Sequence, residues 1–245
     1  MPRLSLGLGL NLPRPIFLGG GGIPTEPTGF VAKYTAYNVA NFSLDVGSEV
    51  TQWNDESVNG NDLSSTGTNR PILIQNANTY LNRVVFDGAD DFLDGLPPQA
   101  GDFTYIINYT EDNIQASTGA LLSNDVDDGV LASFFGETYD LVSSNTQESN
   151  IFSVSGTEPN RVMAIVRNGD NLDIYKDSLG STNNTEDVTG QLFYITRLGD
   201  DSSVANMQVS EVGVWDRALT QEEINYYSYL RSETGEILLP PLLPS

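Results

Sequence analysis

From residue 30 onward one rhythm constrains the chain more than any other feature. Short runs rich in β-branched and aromatic residues alternate with clusters of Gly, Asn, Asp and Ser. The runs FTYIINY (103–109), GVLASFFG (129–136), RVMAIVR (161–167), NLDIYKD (171–177), LFYITRL (192–198) and MQVSEVGVW (207–215) carry the composition of strands. Asn168-Gly169-Asp170 supplies residues that tolerate positive φ, so the segment from Ile165 to Tyr175 is expected to be a tight antiparallel hairpin. Many strands joined by irregular connections predict an all-β, two-sheet antiparallel sandwich or jelly roll.

Helical periodicity is expected only near the C-terminus, and its start is well specified. Thr220 can cap the helix, Glu223 can complete a capping box, and Leu219 with Ile224 occupy the positions of a hydrophobic staple. Ile224, Tyr227 and Leu230 follow at spacings of three, one face that can lie on a packed body. The expectation is one short helix acting as a lid at the end of the sandwich.

The segment before residue 30 reads differently. In MPRLSLGLGLNLPRPIFLGGGGIPTEPTG, Leu4, Leu6, Leu8, Leu10 and Leu12 alternate with polar residues or Gly, Arg14 follows, and four glycines lead into a Pro/Thr spacer. Such a stripe cannot form a core alone, so residues 1–29 are expected to be an extended assembly arm on a Gly/Pro hinge. Asn11, Pro13 and Pro15 interrupt it too early for a signal peptide, and no apolar run approaches bilayer length. Residues 30–237 then form the folded domain, and 238–245, within ILLPPLLPS, an extended C-terminal tail.

Composition narrows the chemistry. With 39% hydrophobic, 9% aromatic and 18% charged residues, the chain has enough apolar material for a core. Its 33 acidic and 11 basic residues give a formal charge of −22, which repels nucleic acid and anionic bilayers. There is no histidine and no cysteine, so His-assisted nucleophiles, thiolate chemistry and disulfides are excluded. Carboxylate chemistry and hard oxygen ligands remain. Asp125, Asp127 and Asp128 in SNDVDDG are the first candidate calcium ligands, and Asp87, Asp90 and Asp91 in FDGADDF the second; neither set follows the EF-hand pattern. Trp53 and Trp215 sit in apolar strand contexts and are expected in the core, while Asp55, Ser57, Asn59 and Gly60 form a turn whose side chains can bond back to the backbone.

Several of these segments also carry a resemblance. VTQWNDESVNGNDLSSTGTNRPIL with its Trp-x-Asp-x-Ser-x-x-Gly pattern, NRVVFDGADDFLDG, the hairpin RVMAIVRNGDNLDIYKDS and the closing VSEVGVWDRALTQEEINYYSYLRSETG together resemble laminin-G-like domains of the concanavalin A-like lectin/glucanase superfamily. The resemblance covers roughly residues 30–237 and departs at Lys176 to Gly180, where the family's turn places Gly sooner. It implies a concanavalin A-like jelly roll, and calcium as the one ion such domains commonly bind, with no cofactor required. The catalytic Glu-x-Asp-x-x-Glu strand of the superfamily's glucanases is missing: no carboxylate stands two residues from Glu211, and Asp173 and Asp177 flank a hairpin. No catalytic residue is assigned, and the glycan-binding residues stay open.

The N-terminal arm in turn resembles the short N-termini of tailed-bacteriophage virion proteins. The reading that combines both resemblances is a non-enzymatic virion structural protein, a head or tail fibre or decoration subunit located on the virion. It would contact other virion proteins through the arm, act as a homo-oligomer, and use its lectin-like body for cell-surface glycan or for assembly, without nucleic acid or membrane insertion. A secreted, extracellular bacterial carbohydrate-binding module and a glycoside hydrolase are the alternatives.

Overall fold

A computed structural model describes residues 25–76, 82–111, 121–124, 133–135, 138–142, 147–153, 161–176, 185–187, 193–199 and 206–229. The strands are, in chain order, β1 (Ala32–Thr35), β2 (Phe42–Leu44), β3 (Val50–Trp53), β4 (Leu63–Ser64), β5 (Ile72–Ile74), β6 (Arg83–Asp87), β7 (Phe92–Asp94), β8 (Phe103–Glu111) and β9 (Leu122–Ser123). They continue with β10 (Ser133–Phe135), β11 (Thr138–Val142), β12 (Gln147–Ser153), β13 (Arg161–Asn168), β14 (Asn171–Lys176), β15 (Thr185–Asp187), β16 (Arg197–Gly199) and β17 (Asn206–Trp215), and α1 (Gln221–Tyr229) follows.

The strands build an antiparallel β-sandwich. An eight-stranded sheet has the order β15-β14-β13-β8-β17-β6-β5, with β1 also paired to β17. A six-stranded sheet has the order β2-β3-β4-β7-β16-β9, and β10, β11 and β12 form a small sheet of their own. Alternation sends Tyr105, Ile107 and Tyr109 of β8, Val84 and Phe86 of β6, and Trp53, Leu63, Leu93 and Leu198 of the smaller sheet into one fully buried core. The expected all-β sandwich with one short helix is the architecture observed, and α1 is the one α-helix among the described residues.

The expected hairpin forms from β13 and β14, with Asn168 paired to Asn171 and Gly169 at φ 61°. Positive φ at the first central residue alone is the signature of a type II′ turn, which a residue with a Cβ would strain. Of the expected 192–198 strand only β16 is paired. Residues 193–196 lead into it outside any named strand, although Phe193 and Ile195 are still buried.

In β17, Met207 and Val209 face the core at odd positions and Val212 and Val214 at even ones. A bulge between Val209 and Glu211 absorbs the change of phase. One extra residue at Ser210 thus keeps both apolar pairs on the core side.

The helix lies on the outer face of the larger sheet, away from the end position expected of a lid. Leu219, Ile224 and Tyr227 pack there on Ile106, Val162, Ala164, Val166 and Trp215, a second core on the far side of the sheet. The capping box is made: Glu223 N–H donates to Thr220 Oγ1 at 3.3 Å, and Thr220 N–H to Glu223 Oε2 at 2.9 Å. Both staple residues are buried.

Candidate functional site

The outer face of the six-stranded sheet is where the described polar side chains line up. Trp53, Leu63, Leu93, Leu198 and Leu122 point into the core, so their strand neighbours point outward. Register sets those neighbours directly opposite one another. Gln52 faces Ser64, Ser64 faces Asp94, Asp94 faces Arg197, and Arg197 faces Ser123. Five strands therefore align a single polar row from β3 to β9, open at Ser64 and Asp94 and closed at its β9 end, where Ser123 is buried and its hydroxyl donates to the Gly199 carbonyl.

The row is organised around a fixed guanidinium. Arg197 is only 5% exposed; it donates from Nε to Asp94 Oδ1 at 2.7 Å and from Nη2 to Oδ2 at 3.3 Å, and lies 4.0 Å above the ring of Phe92. Fork and ring together fix its orientation. Gln52 Nε2 donates to Asp62 Oδ2 at 2.8 Å and to Asn54 Oδ1 at 2.9 Å. Ser64 and Asp62 are exposed, and Asp94 is half-exposed. Beyond the β9 end, Asn124 Nδ2 bonds the carbonyl of Tyr194, whose ring is about half exposed. Held carboxylate, amide and hydroxyl groups with an aromatic ring nearby suit a polyhydroxylated ligand, which needs donors and acceptors in a fixed array.

Sequence reading missed this row because its members lie far apart in the chain. Among the residues it did single out, Trp53 is fully buried with its indole N–H donating to Thr35 O at 3.2 Å, and Trp215 is buried under α1. Neither indole is a ligand platform. Asp55 is the hub of its loop, accepting from Lys33 N, Ser57 N, Ser57 Oγ and Asn61 N at 2.6–3.0 Å. Burial works against its ionisation, but the bonds from Ser57, Lys33 and Asn61 together outweigh it and hold the carboxyl below the usual aspartate range. Glu211 is buried on the outer face of the larger sheet, accepting from Asn108 Nδ2 at 2.7 Å and Tyr37 Oη at 3.1 Å.

The candidate calcium ligands divide. Asp125, Asp127 and Asp128 lie outside the described residues, as do Leu4, Leu6, Leu8, Leu10, Leu12 and Arg14 of the arm. Asp87, Asp90 and Asp91 are brought together, with a carboxylate oxygen from each within 4.8 Å of the others. Asp87 ends β6, and the turn through Gly88 returns the chain to Asp91 just before β7. Asp91 is buried and accepts from Asp87 N–H at 2.9 Å. Burial, followed by the charges of Asp87, Asp90 and Glu49, pushes its carboxyl up to about 6. The three residues offer hard oxygen donors of the kind divalent cations take.

No protein-family model matches the chain, and no curated protein matches it. Solved structures do. A mutant of Trypanosoma rangeli sialidase displaying trans-sialidase activity is similar with a TM-score of 0.61 and 16% identity, over 88% of this chain and 35% of that one. The binding domain of Paraclostridial Mosquitocidal Protein 1 gives a TM-score of 0.57 at 13% identity, over 80% of this chain and 55% of that one. The receptor binding domain of botulinum neurotoxin C/D mosaic serotype gives 0.57 at 12%, over 85% and 55%. The chain thus spans about a third of the sialidase and about half of the toxin chains. At these identities the shared property is the fold, a β-sandwich that occurs both in enzyme chains and in binding domains.

Proposed function

We propose that the chain is a non-enzymatic binding module that presents the outer face of its six-stranded sheet to a glycan. The observation that carries this reading is the register-aligned row from Gln52 through Ser64, Asp94 and Arg197 to Ser123, with Arg197 immobilised by Asp94 and Phe92. The occurrence of the same sandwich in two toxin binding domains supports it. Ser64 is exposed at the middle of the row, so Ser64→Trp would block the face without disturbing the core. Glycan-panel binding followed by titration of the best ligand tests the assignment. Wild type should bind, Ser64→Trp should lose at least about tenfold in affinity, equivalent to ~1.4 kcal/mol, and its melting temperature should stay unchanged. Binding undiminished in Ser64→Trp, or no binding to any glycan, would overturn it.

The larger setting we propose is a virion fibre or decoration subunit. Its support is the sequence of the arm, Leu4 to Leu12 with Arg14, on a glycine hinge. Several copies on one particle would raise weak glycan contacts to useful avidity.

A hydrolase reading has one observation in its favour: Asp87 and Asp91 lie close together, and burial pushes the Asp91 carboxyl above the ordinary aspartate range. It requires turnover of a polysaccharide that Asp91→Asn abolishes. The binding reading requires none.

A further inference from the structure

The outer face of the six-stranded sheet carries a charge that can choose among sugars. Its six strands contain a single basic residue, Arg197, and that guanidinium is committed within the fold: the side chain is 6% exposed, forked on Asp94 and stacked on Phe92. Asp62 is exposed beside the open part of the row. Its Oδ2 accepts from Gln52 Nε2 and its Oδ1 from Asp55 N–H at 2.9 Å, both neutral donors, so no cation of the described residues cancels its charge. The backbone at Gly95 runs against the Asp62 carbonyl, where a Cβ would come within 2.5 Å, and this sets Asp62 alongside the end of β7. Ser64 is paired with Asp94, and Asp62 stands two residues before Ser64, the diagonal position that spaces neighbours on one face by about 7–8 Å. Toward the β2 edge, Arg70 Nη1 contacts both Asp45, at 2.8 Å, and Glu49, at 3.5 Å. Four carboxylates therefore stand against two guanidiniums, each already paired.

We propose, resting on the binding reading above, that this face takes a cationic amino sugar, a glycan of hexosamine units with free amines, in preference to the neutral N-acetylated form, and that it excludes glycans bearing carboxylates. An ammonium group placed over Ser64 has Asp94 opposite and Asp62 on the diagonal, while Ser64 and Gln52 offer hydroxyl and amide to the sugar hydroxyls. N-acetylation removes the charge and keeps the hydroxyls, so only the electrostatic part of the contact is lost. A sugar carboxylate would face Asp62 with no guanidinium able to turn toward it, because Arg197 would have to leave both Asp94 and Phe92. Like charges set against one another are an effective means of rejecting a partner. The formal charge of −22 acts in the same sense at longer range, concentrating cations near the surface, and salt screens it.

The probes are hexosamine oligomers of equal length in free-amine and N-acetylated form, with a uronate oligomer as the anion, titrated into full-length protein at about pH 6, below the ~7.7 of a weakly basic amine. Wild type should bind the free-amine oligomer about fivefold or more tighter than the N-acetylated one, the upper range for one exposed ion pair, and should not bind the uronate. Asp62→Asn keeps an oxygen for the Asp55 N–H and should bring the ratio down to about twofold or less, with the affinity for the N-acetylated form unchanged. Ser64→Lys, which sets a cation opposite Asp94, should lower the ratio as well while leaving Asp62 in place. Glu222→Gln removes the same charge from the exposed side of α1, across the sandwich, and should leave the ratio at its wild-type value. Equal losses in Asp62→Asn and Glu222→Gln would reduce the preference to diffuse attraction by an acidic protein and overturn the proposal. Tighter binding of the uronate overturns it too. A wild-type ratio near one, with binding that Ser64→Trp still abolishes, overturns this proposal and leaves the binding reading standing. Failure of all three oligomers to bind also overturns it, and the wider glycan panel then decides the binding reading separately.

Discussion

Asp55 and Asp91 look alike in sequence, short acidic residues in Gly-rich and Asn-rich loops, yet the fold gives them opposite electrostatics. The carboxyl of Asp55 is held low by its hydrogen-bond donors, so the folded state favours its ionised form. Its contribution to stability is present above the ordinary aspartate value of ~4 and is lost as pH falls through the depressed folded value. Asp55→Asn should therefore cost about 2–3 kcal/mol at neutral pH, the range for losing charged hydrogen bonds at a part-buried site. It should also weaken the acid limb of the melting curve. For Asp91 the folded state holds the proton more tightly, with a value near 6. Stability should thus decline as pH rises from ~4 to about 6 and level off above it, and Asp91→Asn should remove that decline in thermal melts taken from pH 4 to 8. Calcium has a readout on the same curve: an ion held by Asp87, Asp90 and Asp91 would draw the midpoint down, and an unmoved midpoint excludes it. Only part of this was legible in the sequence. The bond from Ser57 N–H to Asp55 is a local turn contact two residues away, whereas that from Lys33 N–H comes from 22 residues upstream. The burial of Asp91 depends on how the β6–β7 turn packs.

The helix shows the same division between local and distant information. Its cap and staple were readable because they involve residues three to five positions apart. Arg217 was not, although it forms a fork on the capping carboxylate, with Nη1 at 3.0 Å from Oε2 and Nη2 at 2.7 Å from Oε1. The bond from Arg217, opposed by partial burial and aided by Thr220, pulls Glu223 down to about 2. Thr220→Ala should lower stability by about 1 kcal/mol, the usual worth of a cap, while leaving glycan binding unchanged. A double-mutant cycle of Arg217→Ala and Glu223→Ala should give a coupling of roughly 0.5 kcal/mol, because both groups face solvent. Loss of binding with stability intact in Thr220→Ala would contradict a purely structural helix. Where the helix lies was beyond sequence reading, since its seat is made by Ile106, Ala164 and Val166 from two other strands. Gly213 completes that seat: a Cβ there would come within 2.6 Å of the Trp215 indole, which packs against Phe30 at a centroid distance of 4.6 Å.

At the scale of the whole molecule, strand rhythm was enough for the fold class because alternation is written residue by residue. The polar row was illegible because positions 52, 64, 94, 123 and 197 meet only through the register of five strands. The junction between arm and body is likewise a matter of tertiary contact, and it yields the last prediction. Already at residue 26 the chain engages the sandwich: Glu26 pairs with Lys33 Nζ at 2.5 Å, the Thr28 carbonyl accepts from Arg217 Nη2 at 3.3 Å, and Phe30 packs on Trp215. Deleting residues 1–24 should therefore leave a folded body with the wild-type melting temperature. Deleting through Phe30 should cost about 1–3 kcal/mol, less than the loss of a fully buried phenylalanine, because Phe30 is only partly covered. If the arm is the attachment device, the shorter deletion should also abolish incorporation into particles while glycan affinity is unchanged. Incorporation at the wild-type level would remove the arm from assembly, and unfolding of the shorter deletion would place those residues within the body.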